Sequence, residues 1–331
     1  MSVAGHRRQA RVIAVVGPTA AGKSELALRL SLALDGEVIN ADSMQLYAGM
    51  DIGTAKLSPA QRRGVPHHVL DIWDVRQTAS VATYQRLARA AIDDIHARGR
   101  VPVLAGGSGL YLRAALDNLE FPGTDQAVRD RLEAELAISG AGALHARLAA
   151  LDPAAATAIL PSNGRRIVRA LEVIEVAGRP FAAVLPGYES RYPVVQIGLG
   201  VGRAELDRRI AERTARMWRE GLVDEVTALE RAGLREGRTA SRALGYAQVL
   251  RFLAGECTED EARAQTTQAT RRFARRQEAW FRRDPRVTWL DTGAEDADGL
   301  LGAALGACAV APASLAALPG FQAGPRRGNT I

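Results

Sequence analysis

Apolar positions along this chain alternate between two rhythms. Residues 12–16 (VIAVV) form a short apolar run rich in β-branched side chains and bounded by Gly17–Pro18, which predicts a buried strand. Leu26, Leu28, Leu30 and Leu32 then begin a Leu- and Ala-rich helix that Gly36 closes. Residues 37–41 (EVINA) predict a second strand, and residues 49–70, broken by Gly, Pro and Ser, predict a loop. Ser80 opens a helix with Tyr84, Leu87, Ala91, Ile92 and Ile95 along one face, and residues 101–105 predict the next strand. The strand rhythm then disappears, and residues 125–137, 141–150, 153–159 and 165–177 read as successive helices. Strand character returns at 194–201 and again at 287–290, with a helix over 203–220 between them. The expected fold class is therefore α/β: a parallel sheet flanked by helices with an all-helical insertion domain, and the GPTAAGKS loop at 17–24 between the first strand and helix makes it P-loop NTPase-like. The expected boundaries are 8–123 for the first part of the core, 124–190 for the insertion, and 191–292 for the rest of the core with basic C-terminal helices. Residues 293–331, dominated by Ala, Gly and Pro, are expected to form a poorly ordered tail.

The first strand runs directly into GPTAAGKS. Gly17, Gly22, Lys23 and Ser24 fit the P-loop spacing, and the strand, loop and helix come in the order it requires. Gly17, Pro18, Thr19, Ala20, Ala21, Gly22, Lys23 and Ser24 are thus the candidate di- or triphosphate cradle. Backbone N–H groups and the helix N-terminus face the anion, Lys23 adds a full charge, and the Ser24 hydroxyl is the candidate ligand of a Mg²⁺ cofactor. Asp42 closes the second strand, so in a doubly wound sheet it faces the same crevice as the loop. It could equally cap a short following helix, and the two roles are compatible. The strand at 101–105 ends in Gly106–Gly107–Ser108, where an ordinary nucleotide hydrolase would place an acidic residue beside Mg²⁺. The chain is equipped to hold phosphate without evident hydrolysis machinery.

A formal charge of +6 at pH 7 is compatible with a nucleic-acid partner, but 41 of the 43 basic residues are Arg, a bias that weakens the inference. It also makes Lys23 and Lys56, the two lysines, informative: Lys23 is the P-loop lysine, and Lys56, closing DIGTAK, is suspected of a second chemical role. His67 and His68 lack the partners of a metal site and suit a structural role or one at the edge of the substrate. More telling is residues 263–286, where eight Arg alternate with Phe273, Trp280 and Phe281, a combination suited to a nucleic-acid surface. The insertion helix at 165–177 sets Arg165, Arg166 and Arg169 beside an apolar stripe of Ile167, Leu171 and Ile174. No apolar run approaches the roughly 18 residues that cross a bilayer, and two isolated cysteines build neither a disulfide framework nor a Cys-based zinc site. A cytoplasmic protein without membrane association is expected.

Taken together, these stretches resemble one family closely, the bacterial tRNA dimethylallyltransferases. The matching segments are GPTAAGKS, NADSMQLYAGMDIGTAK, HHVLDI, GGSGLYLRAAL, RRIVRALEV, RTARMWREGLVDEV, ALGYAQ and RRFARRQEAWFRR, in the family's order from residue 17 to about 290. The P-loop alone is unspecific; the DSMQLY, DIGTAK and GGSGLY set is highly specific.

The resemblance implies transfer of a dimethylallyl group from dimethylallyl diphosphate to N6 of adenine 37, beside the anticodon of tRNAs that read codons beginning with U. It implies Asp42 as general base, with Ser108 and Arg213 as further catalytic residues. Asp42, Ser43, Met44, Gln45 and Ser108 would meet the target base and its neighbours. Arg129, Arg165, Arg166, Ile167, Val168 and Arg169 would hold the anticodon stem-loop from the insertion, and Arg242, Ala243, Leu244, Gly245, Tyr246 and Ala247 from the core. The expected oligomeric state is a monomer. Three alternatives share some of these features: a P-loop kinase of small molecules, an isopentenyltransferase of free adenine nucleotides, and a nucleotide-regulated RNA-binding module without catalysis.

Overall fold

The computed structural model describes residues 11–181, 187–293 and 296–309. It divides into two compact units, one made of Met1–Leu116 with Ser190–Ile331 and the other of Asp117–Glu189.

The first unit is built on β1 (Val12–Val16), β2 (Gly36–Asn40), β3 (His67–His68), β4 (Val101–Ala105), β5 (Val194–Gly200) and β6 (Val287–Asp291). They form one six-stranded sheet in the order β3-β2-β4-β1-β5-β6, with every neighbouring pair parallel. Every residue of β1 and β2 is buried, as in strands covered on both faces; β1 therefore reads as a continuous apolar run, while β2 also buries Glu37 and Asn40. Helix α1 (Lys23–Leu34) packs its Leu26, Leu28 and Leu30 with Ile13, Val15, Val103 and Ile197 of the sheet. Helix α2 (Val81–Ala97) is capped by Ser80, whose hydroxyl accepts from Thr83 N, and α3 (Gly109–Leu116) follows β4. The two helices meet through Tyr84 and Tyr111, whose rings lie 4.8 Å apart, while Tyr84 Oη donates to Asn40 O at the end of β2 (3.0 Å).

Two expectations change here. His67 and His68 are not loop residues: they form β3, pairing with Val38 and Ile39, and His68 Nε2 reaches the buried Glu37 carboxylate at 2.6 Å. Arg98 and Arg100 also engage Glu37, and the Arg98 hydrogen bonds foremost hold its carboxyl down at about 2. Two polar residues are too short a run to announce a strand. In the expected tail, Ala297–Ala309 form a helix whose Leu300, Leu301, Ala304 and Leu305 join the core cluster beneath α1. The leucines supply the apolar face, while Gly302 and Gly306 lie on the exposed side. The expected core start at residue 8 and the remainder of the tail, 310–331, lie outside the described residues.

The second unit holds α4 (Gln126–Leu151), α5 (Pro153–Ala158) and α6 (Gly164–Ala177), and the last of the helices in chain order, α7 (Arg203–Arg219), α8 (Leu222–Arg231), α9 (Tyr246–Leu253), α10 (Glu259–Phe281) and α11 (Ala297–Ala309), return to the first unit. The backbone of α4 breaks at Gly140, the point separating the two helices expected from the sequence. Leu132, Leu144, Leu148, Ile159, Ile167 and Leu171 make the unit's core. This corrects part of the proposed RNA contact: Ile167 and Val168, 0 % and 3 % exposed, turn inward on the apolar face of α6. Arg129 and Arg169 close on the fully buried Glu172 at 2.5 and 2.8 Å, and Arg169 also donates to Pro122 O and Gly123 O. Arg165 and Arg166 are exposed.

Among the described residues no helix is long and apolar enough to cross a membrane. Removing one partner of a buried ion cluster is costly, though the two guanidiniums here retain some solvent contact. Glu172→Gln is expected to destabilise the helical unit by about 2 kcal/mol, read as amide exchange in α4 and α6 faster by about 30-fold. Unchanged exchange would show that the cluster contributes nothing.

Candidate active site

Three strand ends build the site. After β1 the chain turns through Gly17–Gly22 into α1, whose N-cap Gly22 has φ 97° and provides no side-chain cap. The first amides of α1 are therefore open to an anion. Lys23 Nζ donates to Pro18 O at 2.7 Å; burial, opposed by the nearby Asp42 carboxylate, lowers its pKa to about 8. Ser24 is exposed at the start of α1. After β2, Asn40 Oδ1 accepts from Asp42 N (2.8 Å) and Asp42 Oδ1 accepts from Met44 N (2.9 Å); the described residues that follow form no helix for Asp42 to cap, so its carboxylate closes a local turn and still lines the crevice. After β4, Ser108 Oγ lies 3.2 Å from both the amide and the hydroxyl of Ser43.

The glycines at the end of β4 have a steric cause. A Cβ on Gly106 would overlap the Ala41 backbone, and one on Gly107 would overlap the side-chain nitrogen of Gln277. Gln277, on α10 and 5 % exposed, accepts from Thr19 N at 2.8 Å and donates to Gly107 O at 3.0 Å, bridging the P-loop crest to the β4 turn. Small residues are thus required where an NTPase would carry an acidic one.

Arg213 projects from α7 and is held at both ends, Nη1 on Thr19 Oγ1 (3.1 Å) and Nη2 on Thr54 O (3.2 Å). Burial lowers its pKa while Asp42 opposes the shift. Thr19 and Ala20 of the loop, Asp42 and Arg213 open onto one cavity of about 340 Å³, a size suited to a small ligand, whereas Gly17, Pro18, Ala21, Gly22 and Lys23 are absent from its lining. Thr19, Ala20, Asp42, Ser43, Met44 and Arg213 line it on the strand-end side, with Arg242, Ala243, Leu244, Gly245 and Tyr246 opposite; Ile210, Met217 and Phe273 add an apolar wall. Of the sequence-derived candidates, Ser108 reaches the cavity only through Ser43, and Gln45 and Ser24 border a smaller crevice with Asn40 and His67. Ala247 is absent from the lining, and the insertion residues belong to the other unit.

Lys56 is paired within its own loop rather than solvated. Its ammonium, 3 % exposed along the side chain, binds Tyr47 O (2.9 Å), Asp51 Oδ1 (2.6 Å) and Asp71 Oδ1 (2.5 Å), closing the loop that carries Thr54. Sequence reasoning missed Gln277, Glu225 and Thr54. Each lies inside a motif already singled out, but its partner is remote in sequence, and no local pattern announces such pairs.

For a divalent cation the fit rests on donor chemistry. Ser24, exposed in the first turn of α1 beside the loop, could give one hydroxyl ligand to a Mg²⁺ whose shell substrate phosphate and water would complete.

The profile of the IPP transferase family matches residues 45–284. A protein of Thermobifida fusca named tRNA dimethylallyltransferase is 72% identical over 290 residues, covering 86% of this chain and 91% of that protein. The crystal structure of full-length tRNA isopentenylpyrophosphate transferase from Bacillus halodurans superposes with a TM-score of 0.68 at 41% identity, over 91% of this chain and 96% of that one. A eukaryotic dimethylallyltransferase, crystallised acting on tRNA, superposes with a TM-score of 0.73 at 25% identity, over 85% and 73% of the two chains. With the P-loop, the aspartate at the second strand end and the bridging arginine all opening on one cavity, and with relatives this similar across nearly their whole length, the chain belongs to the tRNA dimethylallyltransferase, or IPP transferase, family.

Proposed function

We propose that this chain transfers the dimethylallyl group of dimethylallyl diphosphate to N6 of adenine 37, beside the anticodon of tRNAs reading codons that begin with U, and releases diphosphate. The observation carrying this reading is that a single cavity joins the phosphate loop, the Asp42 carboxylate and the Arg213 guanidinium. An anion held by the loop and a base presented to Asp42 would therefore meet in one cleft.

The chemistry follows from these groups. The C1–O bond of the allylic diphosphate breaks with its electron pair leaving on oxygen, and charge grows on the diphosphate. Open α1 amides, Lys23 and Arg213 are fixed donors aimed at that charge, stabilising it without reorganisation. Bound through Ser24 and the diphosphate, Mg²⁺ would neutralise part of the leaving group's charge. The apolar wall of Ile210, Met217 and Phe273 suits the hydrocarbon and keeps water from the allylic carbon. The N6 lone pair is delocalised into the adenine ring, so the amine needs orienting and deprotonating as it bonds to C1; Asp42 accepts that proton. The base has to leave its stack to enter, as base-modifying chemistry generally requires. Arg242 beside the cavity, and the exposed Arg165 and Arg166 of the helical unit, are the cations proposed to bind the anticodon stem-loop.

Incubation with labelled dimethylallyl diphosphate, Mg²⁺ and unmodified tRNA, with AMP in parallel, tests the reading directly. Label is expected in tRNA as N6-dimethylallyladenosine; label in AMP alone would instead assign a nucleotide-modifying enzyme. Asp42→Ala should lower transfer by about 10²–10⁴-fold while tRNA binding stays within a few-fold, and near-normal turnover would remove Asp42 as the base. Lys23 is charged below its pKa of about 8 and neutral above it. Affinity for dimethylallyl diphosphate should hence be flat below about pH 7 and fall by about tenfold per unit well above 8, as calorimetric titration would read. A flat profile to about pH 9.5, together with unchanged affinity in Lys23→Met, would mean that Lys23 does not bind the anion. Arg165→Glu should weaken tRNA binding and reduce its salt slope by about 1, with diphosphate affinity unchanged; parallel loss of both would mark the helix as structural only.

A further inference from the structure

Glu225 sits in the first turn of α8, in the stretch GLVDEV, and does not line the cavity. Its carboxylate is nevertheless the most heavily engaged acceptor near it. Oε2 accepts from Asp51 N (3.0 Å) and Ile52 N (2.7 Å); Oε1 accepts from Gly53 N (3.2 Å) and from Tyr246 Oη (2.5 Å). A carboxylate offers about four lone-pair directions, and here each oxygen takes two donors.

These donors have a common origin. Residues 50–56 make a short helical turn, closed by Ala55 N on Ile52 O, Lys56 N on Asp51 O and Thr54 Oγ1 on Met50 O. The first amides of any such turn are orphaned and converge on one point, the geometry that elsewhere binds an anion. In this chain a side chain some 170 residues away fills that point, |i−j| being 174 for Asp51. Tyr246 completes it. Its ring lies so close over Gly53 that a Cβ there would meet ring atoms at 2.5–2.7 Å, and burial beside Glu225 raises the phenol's pKa and keeps it a donor.

The turn ends at Thr54, whose carbonyl accepts from Arg213 Nη2 (3.2 Å) and Gln45 Nε2 (3.1 Å). The position of that carbonyl decides where the guanidinium is held between the turn and the P-loop threonine. We propose that Glu225 is a positioning residue for the transfer step: by gathering the amides of residues 51–53 it fixes Thr54 O, and through it aims Arg213 into the cavity. The proposal rests on the reading of Arg213 as the cation that receives the leaving diphosphate. A guanidinium fixed before reaction stabilises developing charge more than one that must be ordered during it, and displacement of about 1 Å costs rate steeply.

Glu225→Gln keeps the shape but replaces one acceptor oxygen with an NH₂ group facing Gly53 N–H, so the turn loses an anchor. The expected result is a fall in kcat of about tenfold or more, with KM for tRNA within about twofold. A purely structural role would lower the amount of folded enzyme and would not couple to Arg213. A double-mutant cycle with Arg213→Lys therefore decides. If Glu225 acts through Arg213, Glu225→Gln should cost at most about twofold in the Arg213→Lys background. Multiplicative losses, with Arg213→Lys itself impaired, overturn the positioning role and leave the Arg213 reading intact. Unimpaired transfer by Arg213→Lys, with unchanged diphosphate affinity, overturns both. Should Glu225→Gln fail to fold, Tyr246→Phe removes one donor to the same carboxylate and enters the same cycle, with an expected kcat loss of about threefold that is likewise absent in the Arg213→Lys background.

Discussion

The close backbone approach at the carboxyl ends of β1, β2 and β4 is the constraint on which the rest of the site depends. Gly106 N donates to Val15 O, Ala41 N to Ala105 O and Ser108 N to Ala41 O, so three connections leave the sheet within hydrogen-bonding distance of one another. Nothing larger than glycine fits between Ala41 and residue 106. Because the strands are parallel and in register, their ends present the phosphate loop, Asp42 and Ser108 on the same side. Gln277 then ties two of these connections together, from a helix more than 250 residues after the loop it holds (|i−j| of 258). Catalytic side chains are placed by neighbours that do no chemistry.

Charge is distributed with the same economy. The chain is rich in arginine, and several of these arginines are committed to buried carboxylates. Arg98 and Arg100 neutralise Glu37 under β2, Arg129 and Arg169 neutralise Glu172 in the helical unit, and Arg286 holds Asp284 at 2.7 Å. These are desolvated carboxylates that require partners. Within the basic segment of the insertion the exposed cations are Arg165 and Arg166, not the whole run. Arg213 is different again: it is buried, but its hydrogen bonds are to a hydroxyl and a carbonyl rather than to a carboxylate, so its full charge remains directed at the cavity.

That difference explains why the surrounding loops are so heavily pinned. A long flexible cation next to open space has many rotamers, and ordering it costs entropy that has to be met before an anion arrives. Thr19 on one side is fixed by Gln277, and Thr54 on the other by Glu225, Tyr246 and Lys56. Placing a guanidinium beside a phosphate loop requires the two supports to be rigid relative to each other.

Much of this was legible in the amino-acid order alone. Apolar, β-branched runs announced β1 and β4, and largely apolar ones β2 and β5, where the buried polar positions Glu37, Asn40 and Gln196 interrupt the pattern. The P-loop spacing, Asp42 at a strand end, the Ser80 cap and the break at Gly140 are local features, determined by a few adjacent residues and their backbone preferences. What only the tertiary structure decided is pairing at a distance. Two histidines became a strand because β2 offered an open edge, an Ala- and Gly-rich segment became α11 because α1 left apolar surface to cover, and Ile167 turned inward because α4 met it there. Glu225 and Gln277 carry no local signature of their partners. Periodicity records which face of an element is apolar, whereas a hydrogen bond spanning a hundred residues or more depends on how finished elements pack, and that is fixed only when the chain has folded.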